Sequence, residues 1–553
     1  MVASAVKETL GDLNKDSFVT LLTKLIGESK YVQNNPPDLI PEEDRIVHHV
    51  REALLPHSTA TGGGPLILNH VTYKPNRGNL IVEYPGAEPG KIVSFVGMHM
   101  DVVTANPSEW DFDPFSMSID GDKLRGRGTT DCLGHVALVT ELMKKLGQTK
   151  PKLKSSVVAV FIASEENSSI PGVGVDALVK DGLLDKLKNG PLFWIDTADK
   201  QPCIGTGGMI PWKLHVTGKL FHSGLAHKAI NPFELAMEAL KEIQTRFYKD
   251  FPPHSKEQVY GFATPSTMKP TQWTYPGGGI NQIPADCTIS GDVRLTPFYN
   301  VPDVIKKLKE YVEDLNKNIE KIATRGPVSK YVLPDENLRG RIEISFDEAS
   351  SGVACNLESR GFHVLCEATK DAVGHVKPYS ITGTLPLIRG LQDEGFDVQT
   401  AGYGLMSTYH AKNEYCLLSD MCQGYKVFTV KDDGGGSDDG SGGGEGDGDG
   451  WGGEGGGDGW GGEGGENEGP KCKFWEWLEP ETPENEVNSG KDKKELCNLT
   501  LKVSILENKI NICKMKMEQE NLVVRQEFEK LKWKLFTHKV VMIVLFPLFV
   551  FKK

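Results

Sequence analysis

Along residues 1–430 short continuous apolar runs alternate with stretches whose apolar positions recur every three or four residues. IVSFVGMHM (92–100), SSVVAVFIAS (155–164) and PLFWID (191–196) are apolar throughout, as strands buried on both faces must be. HVALVTELMKKL (135–146) between them has helical spacing. Strand–helix–strand order predicts an α/β body with a mostly parallel sheet and helices on its faces. Beyond residue 208 the order changes. WKLHVTGKLFHSG reads as a strand and NPFELAMEALKEIQTRFYKDF as an amphipathic helix. TQWTYPGGGINQIPADCTISGDVRL reads as two strands around a glycine turn, VPDVIKKLKEYVEDLNKNIEKI as a second helix and RIEISF as a further strand. That β-α-β-β-α-β series is a ferredoxin-like split unit. The earlier pattern resumes after residue 354, through FDVQTAGYG to a last expected strand, GYKVFTV. A body at 1–208 and 354–430, interrupted by an inserted α+β lid at 209–353, is therefore expected.

Composition then breaks sharply. Residues 431–469 hold 21 of the 61 glycines, and DGWGGEGG occurs at 449–456 and again at 458–465. Such a segment buries too little apolar surface to offset the entropy of ordering it, and a disordered acidic linker is expected. Leu496, Leu499, Val503, Leu506, Ile510, Cys513 and Met517 keep a 3-4 spacing that continues, after one phase slip, through Asn521, Val524, Phe528, Leu531 and Leu535. A coiled coil over 495–539 follows. The apolar end, 540–551, has 12 residues, against the roughly 20 of a spanning helix; at most a weak membrane contact is expected of it.

The net charge of −13 changes the picture little. The linker holds 12 acidic residues and one Lys, a net of −11, which leaves about −2 for everything else. No basic surface argues for nucleic acid. The ten cysteines include no CxxC pair, and the N-terminus, MVASAVKETLGDLNKDSF, has no apolar leader core. A reducing cytoplasm is the expected location.

The candidate chemistry lies at the ends of the body strands. His99 and Asp101 follow VSFVGM, Glu165-Glu166 follow VVAVFIAS, and Asp196 follows PLFWI. Asp131 lies in the glycine-bounded GRGTTDCLGH, and His410 in STYHAKNEY. In parallel α/β sheets functional groups gather at the carboxyl ends of strands. Two imidazoles and three carboxylates suit a pair of divalent ions, zinc first and cobalt or manganese as alternatives, with one carboxylate shared between them. Of the adjacent glutamates one can ligate while the other stays free as a base. Asp199 in IDTAD competes with Asp196 as a ligand, and His135 is read as structural.

HMDVV, GRGTTDCLGH, SEEN, IDTAD, FHSG and YHAKNEY together resemble the dinuclear zinc amidohydrolases and exopeptidases. That family includes acetylornithine deacetylases, succinyl-diaminopimelate desuccinylases, aminoacylases and a glutamate carboxypeptidase. The likeness spans about residues 15–430 and is nearest to the acetylornithine deacetylases of plants. It implies two zinc ions, one on His99 and Asp196, the other on Glu166 and His410, with Asp131 bridging. Glu165 would be the general base and Asp101 the partner of His99. His222 would stabilise the oxyanion, reaching a neighbouring active site across a lid-mediated homodimer. Asn281, Arg294 and Gly383 would contact the substrate, an N-acyl amino acid with N2-acetyl-L-ornithine foremost. Aminoacylase, dipeptidase and carboxypeptidase activities are the alternatives within the family. A rival of another class is a coiled-coil, membrane-associated interaction protein with an inactive hydrolase body. The tail, CKFWEWLEPE and beyond, resembles the end of plant GRF-type zinc-finger proteins; only Cys472 precedes its aromatic cluster, so 470–494 is a partial finger.

Overall fold

The computed structural model describes residues 10–166 and 171–429. The expected linker, partial finger, coiled coil and apolar end all lie outside the described residues. Within them the apolar runs form the centre of a six-stranded sheet. Its strands are β1 (Ile67–Lys74), β2 (Arg77–Tyr84), β3 (Ile92–His99), β4 (Ser156–Ile162), β5 (Pro191–Ile195) and, after the inserted unit, β10 (Asp397–Ala401). They lie in the order β1-β2-β4-β3-β5-β10. β4, β3, β5 and β10 are parallel, whereas β1 and β2 form an antiparallel edge.

Both faces of the central strands are covered, which is why those segments are apolar at every position. Along β4, Val157, Ala159 and Phe161 enter a core with α1 (Lys15–Glu28), α2 (Asp44–Leu54), α3 (Leu133–Thr149), α6 (Arg360–Val373) and α7 (Leu418–Thr429). Val158, Val160 and Ile162 face a second core with Leu178, Leu187, Ile388 and Leu391.

The inserted unit is a four-stranded antiparallel sheet of β6 (Gly208–Thr217), β7 (Thr267–Thr274), β8 (Asp286–Leu295) and β9 (Arg341–Phe346), in the order β7-β8-β6-β9. With α4 (Pro232–Asp250) and α5 (Val301–Lys317) it has the ferredoxin-like connectivity. Ile210, Trp212, Leu214 and Val216 of β6 pack on Leu235, Ile243 and Phe247 of α4 and Val304 and Leu308 of α5, in a core separate from those of the body.

Two expectations are corrected. GYKVFTV is no strand: through Thr429 it belongs to α7. Its apolar residues alternate locally, but Met421, Tyr425 and Phe428 fall on one helical face and are buried in the body core. Phe221–His222 does not continue β6. It forms a two-residue pair with Gln282–Ile283, because the chain breaks at Gly218–Lys219, where Lys219 pairs with Ile230.

Candidate active site

β3 reaches the site through a bulge. Its pairing with β4 shifts between Val96 and Met98, at Gly97. Gly97 has φ +88°, and a Cβ there would lie 2.4 Å from the Trp194 ring, so only glycine fits. The extra residue puts Phe95 and Met98 in the same core and leaves His99 on the other face, at the strand end. His99 is fully buried.

Around it the expected ligands converge. His99 Nε2 lies 2.9 Å from Asp131 Oδ1 and 3.5 Å from Asp196 Oδ1. His410 Nε2 lies 3.0 Å from Asp131 Oδ2 and 3.2 Å from Glu166 Oε2. Asp131 thus turns one oxygen to each imidazole, as a shared carboxylate must. Glu165 is buried, with Oε2 3.9 Å from His99 Nε2. The donor set fits divalent cations. Asp196 Oδ1 and Glu166 Oε1 are buried with no hydrogen-bond partner among the described residues. Donor atoms of His99, Asp131 and Glu166 lie within 4.8 Å of one another. Cys132 shares a similar grouping with His99 and Asp196, but its thiol points to the Ile195 carbonyl at 3.6 Å.

The electrostatics are those of crowded carboxylates. Burial pushes Glu166 up to about 7, with Asp131 adding to it. Burial likewise raises Glu165 well above the carboxylate range, against the pull of His99 and helped by Asp196, Glu166 and Asp131. Burial works against ionised Asp131 too, but hydrogen bonds from His410 and His99 hold it well below the usual range. Bonds to Asp131 and Glu166 raise His410 to about 10. Four carboxyl groups in this space need concentrated positive charge, and imidazolium supplies it only in part.

The turn that carries Glu165 and Glu166 is gripped through its backbone. Four successive N–H groups donate to side chains: Ala163 to Asn79 Oδ1 (2.9 Å), Ser164 to Glu43 Oε1 (3.2 Å), Glu165 to Asp101 Oδ1 (3.1 Å) and Glu166 to Asp101 Oδ2 (3.0 Å). Ser164 has φ +60°, outside the ordinary region for a residue with a side chain. Glu43 is itself held by Nε and Nη2 of Arg77, and Asp101 by Asn34 at 2.8 Å. Asp101 thus faces both ways, toward His99 and toward the glutamate turn. His99 Nδ1 bonds to the Asp101 backbone carbonyl at 2.9 Å, while the carboxylate is 3.6 Å away and serves the glutamate turn.

A second buried carboxylate fixes the loop of Asp131. Glu414 accepts from Arg127 Nη1 (2.7 Å) and from the N–H groups of Gly128 (3.1 Å), Thr130 (2.8 Å) and Asp131 (3.1 Å). It clasps that loop to the segment of His410. Removing one partner of a buried pair costs about 3–5 kcal/mol, because the other charge stays buried alone. Glu414→Ala is therefore expected to lower stability by that order in denaturant unfolding. A variant that unfolds at the wild-type midpoint would show that the clasp is dispensable.

The remaining expectations divide. Gly383 lines a cavity of about 480 Å³ together with Asp131, Glu165, Glu166, Asp196 and His410. Arg294 stands opposite Met209 in the β8–β6 register, and Met209 lines that cavity; its Nε bonds to Asp292 at 3.1 Å. His222 and Asn281 are not among the residues lining it. They lie on neighbouring segments and exposed on the lid, where Ser223 N–H donates to the Asn281 carbonyl. Asp199 is exposed and receives Met406 N–H at 3.1 Å, outside the ligand groupings. His135 accepts from Tyr403 N–H at 2.8 Å, a structural bond.

Glu414, Glu43, Arg77 and Arg127 went unpredicted. The one available signal was a charged residue inside an otherwise ligand-bearing motif, Arg127 in GRGTTD and Glu414 in YHAKNEY. Tyr409, whose hydroxyl is buried at the cavity wall without a partner among the described residues, was equally silent.

The chain is 80% identical over 426 residues to an acetylornithine deacetylase of Arabidopsis thaliana, covering 77% of this chain and 97% of that protein. An acetylornithine deacetylase of Dictyostelium discoideum is 50% identical over 431 residues, 76% and 96% of the two chains. Human carnosine dipeptidase 1 shares the fold, with a TM-score of 0.55 at 17% identity, over 78% of this chain and 98% of that one. Residues 95–430, from the strand of His99 to the end of the body, match the model of peptidase family M20/M25/M40, and to that family the chain belongs.

Proposed function

We propose that this protein hydrolyses the amide bond of N2-acetyl-L-ornithine, releasing L-ornithine and acetate for arginine biosynthesis. The observation that carries it is the shared carboxylate: Asp131 between His99 and His410, with Asp196 and Glu166 beside them. The substrate follows from the likeness to the two acetylornithine deacetylases. In this proposal His99 and Asp196 hold one ion, Glu166 and His410 the other, and Asp131 both; zinc is our first choice. Such a pair, when bound, acidifies water and polarises the acyl carbonyl. Glu165 then takes the proton of the attacking water and passes it to the leaving amine nitrogen. Its burial raises its affinity for that proton. Arg294, at the lid margin, receives the substrate carboxylate. A panel of N-acyl amino acids and dipeptides, assayed with the metal-loaded full chain, tests the proposal. Highest kcat/KM for N2-acetyl-L-ornithine is expected, and preference for a dipeptide would overturn it.

The oxyanion donor points to a dimer. His222 and Asn281 face solvent beside Leu220, Leu225, Tyr275 and Ile280, which are exposed apolar residues of the lid. A second copy covering this patch would bring His222 to the neighbouring cavity. Mixing His222→Ala with Glu165→Gln chains, each inactive alone, is then expected to restore part of the activity. Verified heterodimers that stay inactive would place His222 in its own chain's site. No helix among the described residues is long and apolar enough to cross a membrane. The described cysteines are free thiols, which supports a cytoplasmic location.

A further inference from the structure

Five carboxylates line the cavity: Asp131, Glu165, Glu166, Asp196 and Glu348. The first four crowd around His99 and His410. Glu348 stands apart. It follows β9 at the return from lid to body and is exposed at the cavity wall. Its side chain has no hydrogen bond or ion pair among the described residues, whereas its backbone is firmly placed. Asp347 N–H donates to the Pro211 carbonyl at 3.2 Å, and Ser350 exchanges two 2.9 Å bonds with Met209. Met209 is the residue that Arg294 opposes from the other side, on β8. Arg294 thus neighbours Met209 on one side, and on the other Glu348 lies two residues before Ser350, the partner of Met209, with Glu348 and Met209 both lining the cavity.

We propose that Glu348 is the specificity residue that receives the cationic side chain of the substrate. The inference rests on the proposed acetylornithine hydrolysis. An N-acylated ornithine presents two charges besides its scissile amide: an α-carboxylate and, three methylenes away, an ammonium. Arg294 answers the first. The ammonium requires an acceptor that neither ligates nor takes the proton of water, and Glu348 is the lining carboxylate left for it. A like-charged acidic side chain would be repelled at the same position, so one group supplies both attraction and exclusion.

The test compares N2-acetyl-L-ornithine with N-acetyl-L-norleucine, its uncharged near-isostere, in the metal-loaded full chain. For Glu348→Gln the ratio of the two kcat/KM values is expected to fall by roughly two- to fivefold, the upper range of a solvent-accessible ion pair. A purely structural role would lower both values together and leave the ratio alone. Glu348→Lys should additionally raise kcat/KM for N-acetyl-L-glutamate relative to the ornithine derivative. A wild-type ratio retained in both variants overturns the assignment of Glu348 while leaving the proposed function intact. A wild-type enzyme that does not favour the ornithine derivative over norleucine overturns the proposed function itself, and this assignment with it.

Discussion

Glu165→Gln is expected to keep its full complement of bound metal and to lose about 10²–10⁴-fold in kcat, the usual cost of removing a general base. The substitution leaves the shape of the side chain nearly unchanged and removes only its capacity to accept a proton. The backbone has no cause to move, since the N–H groups of residues 163–166 are held by Asn79, Glu43 and Asp101 rather than by either glutamate side chain. Glu166, not Glu165, makes the 3.2 Å contact with His410, so metal should stay. Elemental analysis and a deacetylation assay on the same preparation decide the matter. Activity within a few-fold of wild type would move the base elsewhere. Loss of metal would make Glu165 a ligand.

Removing the ligands one at a time should dissect the pair. Asp131 touches both imidazoles, His99 at 2.9 Å and His410 at 3.0 Å. Asp131→Ala is therefore expected to weaken both ions. His99→Ala should weaken the one it shares with Asp196, and His410→Ala the one it shares with Glu166. Outer partners of ligands already matter about 10–100-fold in affinity, and a direct ligand should exceed that. Titration against a chelator of known affinity separates the three cases. Two tightly held ions in Asp131→Ala would exclude a shared carboxylate there.

The body strands were legible because burial on both sides leaves no polar position, and a polar residue at the end of such a run stands out. His99, Glu165-Glu166 and Asp196 were found that way. The bulge at Gly97 was not legible, since a glycine within an apolar strand has several uses; the Trp194 ring that makes it necessary comes from another strand. Alternation misled at residues 424–429, where a helix of period 3.6 briefly imitates a strand. Asp196 and Asp199 could not be separated by position, both following one strand; the turn sends Asp199 out to Met406. The supporting carboxylates were hidden for a different reason. Glu43 meets Ser164 across 121 residues, and Glu414 meets Arg127 across 287. No local pattern records a partner so distant. His222 and Asn281 rested on family likeness alone, and the structure sets them, exposed, on the lid surface, apart from the cavity.

The Glu414 clasp bears on when a newly made chain can act. Thr130 and the carboxylate that satisfies its N–H are 284 residues apart, and the whole lid is translated between them. At about 5–20 residues per second, the loop of Asp131 waits roughly 15–60 s for its counterpart to emerge from the ribosome. Until then its donors must be met by water, and the Asp131 carboxylate has no fixed place. A chain cut short before residue 414 could fold its lid and most of its sheet, yet would lack the anchor of the Asp131 loop. Competence arrives only as the last part of the body leaves the exit tunnel.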